Sequence, residues 1–389
     1  MNKQFVDLKM EKSDIEQSLI ECGLWDTPEK RRRHNYILSP CAYLVTKQQQ
    51  EQLLVIAKSV YAAIETLDKV LIEIAKNKPR DRYEQELFSL ASRACNGLAK
   101  PGVFSAGIPK VMKLDLMQTP KGDFKIAEVD AYNPRGLAFM AILDETVKNL
   151  DLEQYSGLKG FAKMLRGQRY EYIYSEKEFY YLPAFEVMQK LLVNYGIDMP
   201  LVVESELETR SPKKAVIIPD SLTRCSKDVR ANLLDECETF FPPKAYLGAK
   251  GFLPFLSNCD GMENFIPKTQ LVSKRHEVDI EGASILKATM SSGMKGILFS
   301  DLDAEKFAKQ LEQCSKAKKA SWVLQKQVEQ ESLELKIFDN LGKIKMKKYY
   351  LRITAQITKD GILGLDITGR PDRIVHGAPD CIQLPAILE

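Results

Sequence analysis

Between Val111 and Gly136 the chain concentrates charge on two short apolar segments joined by a polar turn. Lys113-Leu-Asp115 falls within Val111 to Met117. Glu128-Val-Asp130 ends the second segment, which starts at Phe124 and runs on into Ala-Tyr-Asn133-Pro-Arg-Gly136. The connection Thr119-Pro-Lys-Gly-Asp123 sets Gly after Pro in a polar run, which predicts the turn of a β-hairpin. Residues i and i+2 of a strand share a face, so Lys113 with Asp115, and Glu128 with Asp130, point the same way. Paired across the hairpin they form one anionic patch. Such carboxylates repel unless a cation sits among them, and an all-oxygen set suits Mg²⁺. A solvated acidic face beside a turn is the other reading, and the hairpin alone leaves both open.

The rest of the chain bounds the fold. Its 389 residues, 44% hydrophobic and 28% charged, are ordinary for a globular enzyme of two or three domains. A net charge of +3 from 56 basic and 53 acidic residues argues against nucleic acid or an anionic membrane as partner. Eight cysteines without C-x-x-C spacing fit reduced thiols, and no apolar run reaches spanning length; the expected location is cytoplasmic.

Residues 1–100 read as helical. Apolar positions 53, 56, 60, 64, 67, 71 and 74 make one stripe of a long helix stopped by Pro79, and a second helix covers about Arg82 to Leu98. Residues 101–165 hold the acidic hairpin and then a helix from Leu137. Over 166–245 short strands (Tyr170 to Tyr174, Pro200 to Val203, Lys214 to Pro219) alternate with helices (Phe179 to Tyr195, Val229 to Phe240). That order predicts a small parallel sheet with crossovers. Residues 331–389 read as a β-meander with turns at Asn340-Leu-Gly342 and Lys359-Asp-Gly361, then a polar C-terminal loop.

Residues 246–330 carry a second cluster. A strand ending in Lys287 leads into Ser291-Ser292-Gly293-Met-Lys295-Gly296 and a further strand. Serines, glycines and a lysine in one loop can turn N–H and hydroxyl groups onto phosphate oxygens, although a plain flexible turn is equally compatible. Downstream, Ser321-Trp-Val-Leu-Gln325-Lys-Gln327-Val328 is an apolar strand whose polar end can offer backbone groups to an adenine edge.

In order and spacing, Lys287, the Ser/Gly loop and the strand ending at Gln325 resemble the ATP-binding half of the ATP-grasp superfamily. Tyr246-Leu-Gly-Ala-Lys250 resembles the segment with that fold's earlier ATP-contacting lysine. The metal-type carboxylates come first here, and that order is similar to the circularly permuted branch, the glutathionylspermidine synthetase-type ligases. The resemblance spans about 100–375. It implies an α+β, α/β chain: a permuted ATP-grasp core, a small parallel-sheet pre-ATP-grasp-like domain and an N-terminal helical segment. It further implies ATP and Mg²⁺ as cofactors, with Asp115, Glu128 and Asp130 as metal ligands. Lys250, Lys287, residues Ser291 to Gly296, Gln325, Gln327 and Val328 would meet the nucleotide. Asp130 stands where the family has Asn in E-x-N, and Lys113 where the branch has Arg in R-x-D. Lys113 then serves as a point charge beside the transferring phosphoryl group.

Some residues keep two readings. Asn133 is a further metal ligand or the cap of the following helix. Arg352, in Tyr349-Tyr-Leu-Arg-Ile, holds an acyl phosphate or substrate carboxylate, or makes an ion pair inside the sheet. Arg370 and His376 close on substrate, or the Arg/Asp pairs of their loop satisfy one another. His276 is expected in solvent. The implied activity is ligation of a carboxylate to an amine through an acyl phosphate, on small-molecule substrates; a homodimer is compatible with it. A kinase and a non-catalytic ATP-binding module are the alternatives.

Overall fold

The computed structural model describes residues 4–30, 36–94, 107–131, 136–176, 179–209, 214–217, 226, 228–229, 233, 237–242, 244–290, 296–377 and 380–389. The fold is mixed α+β, with four sheets among the described residues. Its centre is a six-stranded antiparallel sheet. Ile382–Leu384, Gly361–Arg370, Ile344–Thr358, Met112–Gln118 and Phe124–Asp130 lie in that order. Leu333–Phe338 pairs with the outer half of the fifteen-residue strand Ile344–Thr358. The acidic segments do form a hairpin: Thr119 N–H donates to Asp123 O at 2.8 Å, and Gly122 takes the positive φ (90°) that the turn needs.

The sheet has one apolar and one polar face because its strands alternate. Leu114, Leu116, Ile353, Ala355, Ile357, Leu365 and Ile367 point to the apolar side. There they meet the helix Lys47–Asn77, whose Leu53, Ile56, Val60, Ile64, Leu67, Leu71 and Ile74 are all buried as the periodicity predicts. Burying such side chains stabilises by about 1.5–3 kcal/mol each, which makes this contact the main core. Thr46 caps the helix by accepting from Gln49 N–H at 3.3 Å, with the reciprocal Gln49 contact completing a capping box.

Residues 1–100 contain more than helices. Phe5–Asp7 pairs antiparallel with Cys41–Val45, and Ala386–Leu388 adds to the latter in parallel, so the two ends of the chain share a sheet. The predicted parallel sheet is present as Leu201–Val203, Glu171–Tyr174, Lys214–Ile217 and Glu238–Thr239, with the helix Leu182–Val193 as a crossover. The last of these strands corrects only the end of the helix expected over Val229 to Phe240: Val229 and Leu233 are helical, while Glu238–Thr239 is strand. Glu238 is drawn into the sheet by Lys110 and Lys214, each 2.9 Å away, and Phe240 N–H donates to Ala215 O.

The fourth sheet is antiparallel, ordered Ile297–Phe299, Ser284–Ala288, Trp322–Lys326, Thr269–Val272. Its own small core, Val272, Leu286 and Leu324, packs on Phe307 and Cys314 of the helix Ala304–Lys316. It docks against the outer strand of the hairpin, where Ile126 N–H donates to Phe265 O at 2.8 Å. No helix among the described residues is long and apolar enough to cross a membrane.

Candidate functional site

The polar face of the central sheet is built in rungs, because directly opposed residues of antiparallel strands share a face. Glu128, Asp115, Thr354 and Asp366 oppose one another across four strands. Beside that rung lie Asp130, Lys113, Gln356 and Gly364, and on its other side Arg352, Thr368 and Gln383. A register shift between Asp115 and Leu116 adjusts the hairpin without moving the two acidic pairs apart.

On the hairpin half, charges answer charges. Lys113 Nζ stands 3.8 Å from Asp115 and 3.7 Å from Asp130. Asp115 also accepts from Thr354 Oγ1 at 3.1 Å and faces Arg352 Nη1 at 3.6 Å. Burial opposes the charged form of Asp115, but Arg352, Lys113 and the Thr354 hydroxyl outweigh it and hold the carboxyl below its ordinary value. Lys113 shows the converse: burial pulls its pKa down, and Asp115, Asp130 and Glu128 together leave it raised.

Two lysines reach this patch from the other side. Lys250 opens the short 3-10 turn Lys250–Phe252; its own N–H donates to Thr289 O at 3.0 Å, and its buried ammonium donates to Glu128 Oε1 at 3.0 Å. Lys287, at the end of its strand, donates to Ala127 O at 2.9 Å and to Gln325 Oε1 at 2.6 Å. Burial, with Lys250 adding to it, lowers the Lys287 pKa to about 8 despite Glu128 and Asp115. The side chain of Gln325 therefore orients Lys287, anchored in turn by its amide donating to Thr269 Oγ1 at 3.0 Å. The backbone N–H groups of Lys326 and Gln327 are taken by Lys268 O and Ala283 O, and Val328 follows beyond the strand.

Not every expected residue joins this site. Ser291, Ser292, Gly293, Lys295 and Asn133 lie outside the described residues. Gly296, with φ 68°, closes the far side of the Ser/Gly loop by accepting from Ala288 N–H at 2.8 Å. Arg370 is used within its own loop. It grips Asp380 through two bonds of 3.1 and 2.9 Å, lies 2.9 Å from Asp372 and 3.0 Å from His376 Nε2, and donates to Ile374 O. Of the two readings of that loop, internal pairing is the one seen. His276 is not simply solvated: Ser273 Oγ is 2.9 Å and Glu86 Oε2 3.0 Å from its ring nitrogens. Residue Glu86 is 190 positions away, which hid the pair from the sequence.

Sequence reasoning missed Thr354, Gln356, Asp366 and Thr368. Their signal was present as Arg352-x-Thr354-x-Gln356 and Gly364-x-Asp366-x-Thr368, polar residues at period two inside apolar strands. Desolvation, reinforced by Asp115, raises the Asp366 pKa to about 6 against the pull of Arg352.

The donor set suits Mg²⁺ by its chemistry: carboxylate oxygens on adjoining strands, with lysines beside them. Among the described residues no group of three His, Cys, Asp or Glu side chains is gathered as a metal cage. Mg²⁺ is ordinarily held by one or two carboxylates plus substrate phosphates, so the pair Asp115 and Glu128 meets the requirement.

No protein-family model matches the chain, and no curated protein matches its sequence. Among solved structures, it is similar to a protein from Methylobacillus flagellatus KT that carries the provisional name gamma-glutamylcysteine synthetase. The two are 11% identical, the likeness covers 81% of this chain and 84% of that one, and the TM-score is 0.36. A likeness that slight carries no argument about activity; the geometry of the polar face does.

Proposed function

We propose that this chain is an ATP- and Mg²⁺-dependent carboxylate–amine ligase of ATP-grasp type, in its circularly permuted form. The observation that carries the reading is the reciprocal charge set: Lys250 from a 3-10 turn and Lys287 from the small sheet meet Glu128 and its strand from the central sheet. The cations suited to phosphates and the anions suited to a metal face one another, and each partly neutralises the other. Lys250 and Lys287 would hold the nucleotide phosphates, and Asp115 and Glu128 the Mg²⁺, with Asp130 beside Lys113 on the next rung. When bound, Mg²⁺ offsets the negative charge of the transferring phosphoryl group.

The chain's own residues then act by position. Lys113 and Arg352 place fixed positive charge beside the oxygen of the acceptor carboxylate. In the overall reaction that oxygen takes the γ-phosphoryl group; the amine then forms the C–N bond, phosphate leaves, and the nitrogen gives up a proton. No side-chain nucleophile is needed.

The test is incubation of the purified protein with ATP, Mg²⁺ and a panel of carboxylates and amines. Phosphate release that requires both a carboxylate and an amine is expected. A phosphorylated product that persists, or tight ATP binding with no turnover under any pairing, overturns the reading. Glu128→Gln should reduce kcat/KM at least about a hundredfold while circular dichroism stays unchanged; full activity in that variant would refute the metal assignment.

A further inference from the structure

Asp68 interrupts the apolar stripe of the helix Lys47–Asn77. It lies among the buried Ile64, Leu67 and Leu71 and is itself only 5% exposed. The fully buried ammonium of Lys244 donates to both of its oxygens, at 2.8 and 2.7 Å, and the Tyr246 hydroxyl donates to Oδ1 at 2.7 Å. Desolvation offsets much of the attraction in such a pair, and apolar residues of similar volume often stabilise as much or more. What the cluster adds to burial is direction. Three hydrogen bonds fix two side chains at one place on the helix, where apolar contact alone would let them slide.

The residues fixed in this way lead directly to Lys250. Leu247 N–H donates to Lys244 O at 2.9 Å, Ala249 N–H to Tyr246 O at 3.0 Å, and Phe252 N–H to Ala249 O at 3.0 Å. The rings of Tyr246 and Phe252 meet edge-on at 6.4 Å. At the far end Lys250 N–H donates to Thr289 O, and the backbone is seated closely: a Cβ at Gly251 would lie 3.1 Å from Leu90 Cδ2 and 3.2 Å from Thr289 Cγ2. A lysine carries its charge on a flexible four-carbon stem, so the place of its ammonium depends on how firmly its backbone is held. Lys250, 3% exposed, brings that ammonium to 3.0 Å from Glu128 Oε1.

We propose that Asp68 is a positioning residue: through Lys244 and Tyr246 it holds the turn that presents Lys250 to Glu128 and to the nucleotide phosphates. It deepens the ligase reading and rests on it at one point, that Lys250 meets those phosphates. Asp68 acts only through its two partners. A cation already ordered at the hairpin spares the ligand the cost of ordering it, which is how a distant carboxylate gains leverage on affinity. The helix Lys47–Asn77 thus does more than cover the apolar face of the central sheet.

Calorimetric titration of the full-length protein with ADP and Mg²⁺ tests this as a double-mutant cycle. Lys250→Met should weaken ADP at least about tenfold, the effect of losing one charged hydrogen bond. The triple replacement Asp68→Leu, Lys244→Met, Tyr246→Phe exchanges the buried polar cluster for apolar groups, so urea unfolding should show no loss of stability. It should nevertheless weaken ADP about 3- to 30-fold. That loss should vanish when Lys250→Met is already present, and persist in full beside Lys287→Met. Tyr246→Phe alone, which removes one hydroxyl, should repeat the pattern at smaller size and carries the test where the triple replacement does not fold. A residue that merely stabilised the fold would not couple to one lysine and spare the other. Unchanged ADP binding in these variants, or a loss as large in the Lys250→Met background as without it, overturns the inference and leaves the ligase reading standing. ADP binding indifferent to Lys250→Met removes Lys250 from the phosphates, and the inference falls with that part of the reading.

Discussion

The polar face of the central sheet has two halves built from the same kinds of residue, and they are treated in opposite ways. On the hairpin half, Lys113, Asp115, Asp130, Glu128 and Lys250 form ion pairs of 3.0 to 3.8 Å. On the long-strand half, Gln356, Asp366 and Thr368 are more deeply buried than Lys113, Glu128 and Asp130, yet each keeps an atom without a hydrogen bond among the described residues. Arg352 spans both, its Nη1 facing Asp115 and its Nε unpaired. The paired half stores opposite charges that a nucleotide with its metal would exchange for stronger partners. The unpaired half holds a cost, about 1–3 kcal/mol for each buried polar group left without a hydrogen bond. Stability is drawn from the paired half.

That difference predicts opposite signs for substitutions a few ångströms apart. Asp115→Ala takes the shared carboxylate from between the half-buried Lys113 and Arg352, leaving Lys113 to Asp130 alone. Losing the partner of a largely desolvated group destabilises by about 1–3 kcal/mol, and urea unfolding should show a loss of that size. Thr368→Val removes a buried hydroxyl with no hydrogen bond among the described residues and should stabilise by about 1 kcal/mol. If both variants destabilise alike, the two halves are not distinct and the unpaired atoms are satisfied in solution.

Legibility followed the range of the contacts. The hairpin was readable because its turn and its period-two acids sit within twenty residues, and the opposed register of Asp115 with Glu128 follows from the turn. The long helix was readable from its stripe, since all seven positions are buried. The partnership of Thr354 with Asp115 was not, because it joins residues 239 positions apart, and without it Asp366 is merely a polar residue in a meander. Phe5–Asp7 was missed for a different reason: a three-residue strand has almost no periodicity, and its sheet is completed by the far end of the chain. Lys250 and Lys287 could be named from resemblance, but the sequence contains nothing that sets one against Glu128 and the other against Ala127 O.

The smallest effect concerns the lysine that sits between the two sheets. The Lys287 pKa falls to about 8 on folding, chiefly through burial, whereas an unfolded lysine keeps an ordinary value near 10.5. Between those values the unfolded chain binds a proton that the folded chain has lost, so stability rises with pH across that window and the charged form is disfavoured below it. Lys287→Met should flatten this slope in urea titrations at pH 7.5 to 10. The functional counterpart has a definite sign as well. Phosphate oxygens favour the ammonium form, so ADP binding should take up protons at about pH 8.5 and fewer at pH 7, where Lys287 is already charged. Calorimetry in two buffers of different ionisation enthalpy reads that uptake directly. Uptake equal at both pH values, or unchanged in Lys287→Met, would separate Lys287 from the nucleotide and leave Lys250, on its 3-10 turn, as the remaining lysine contact.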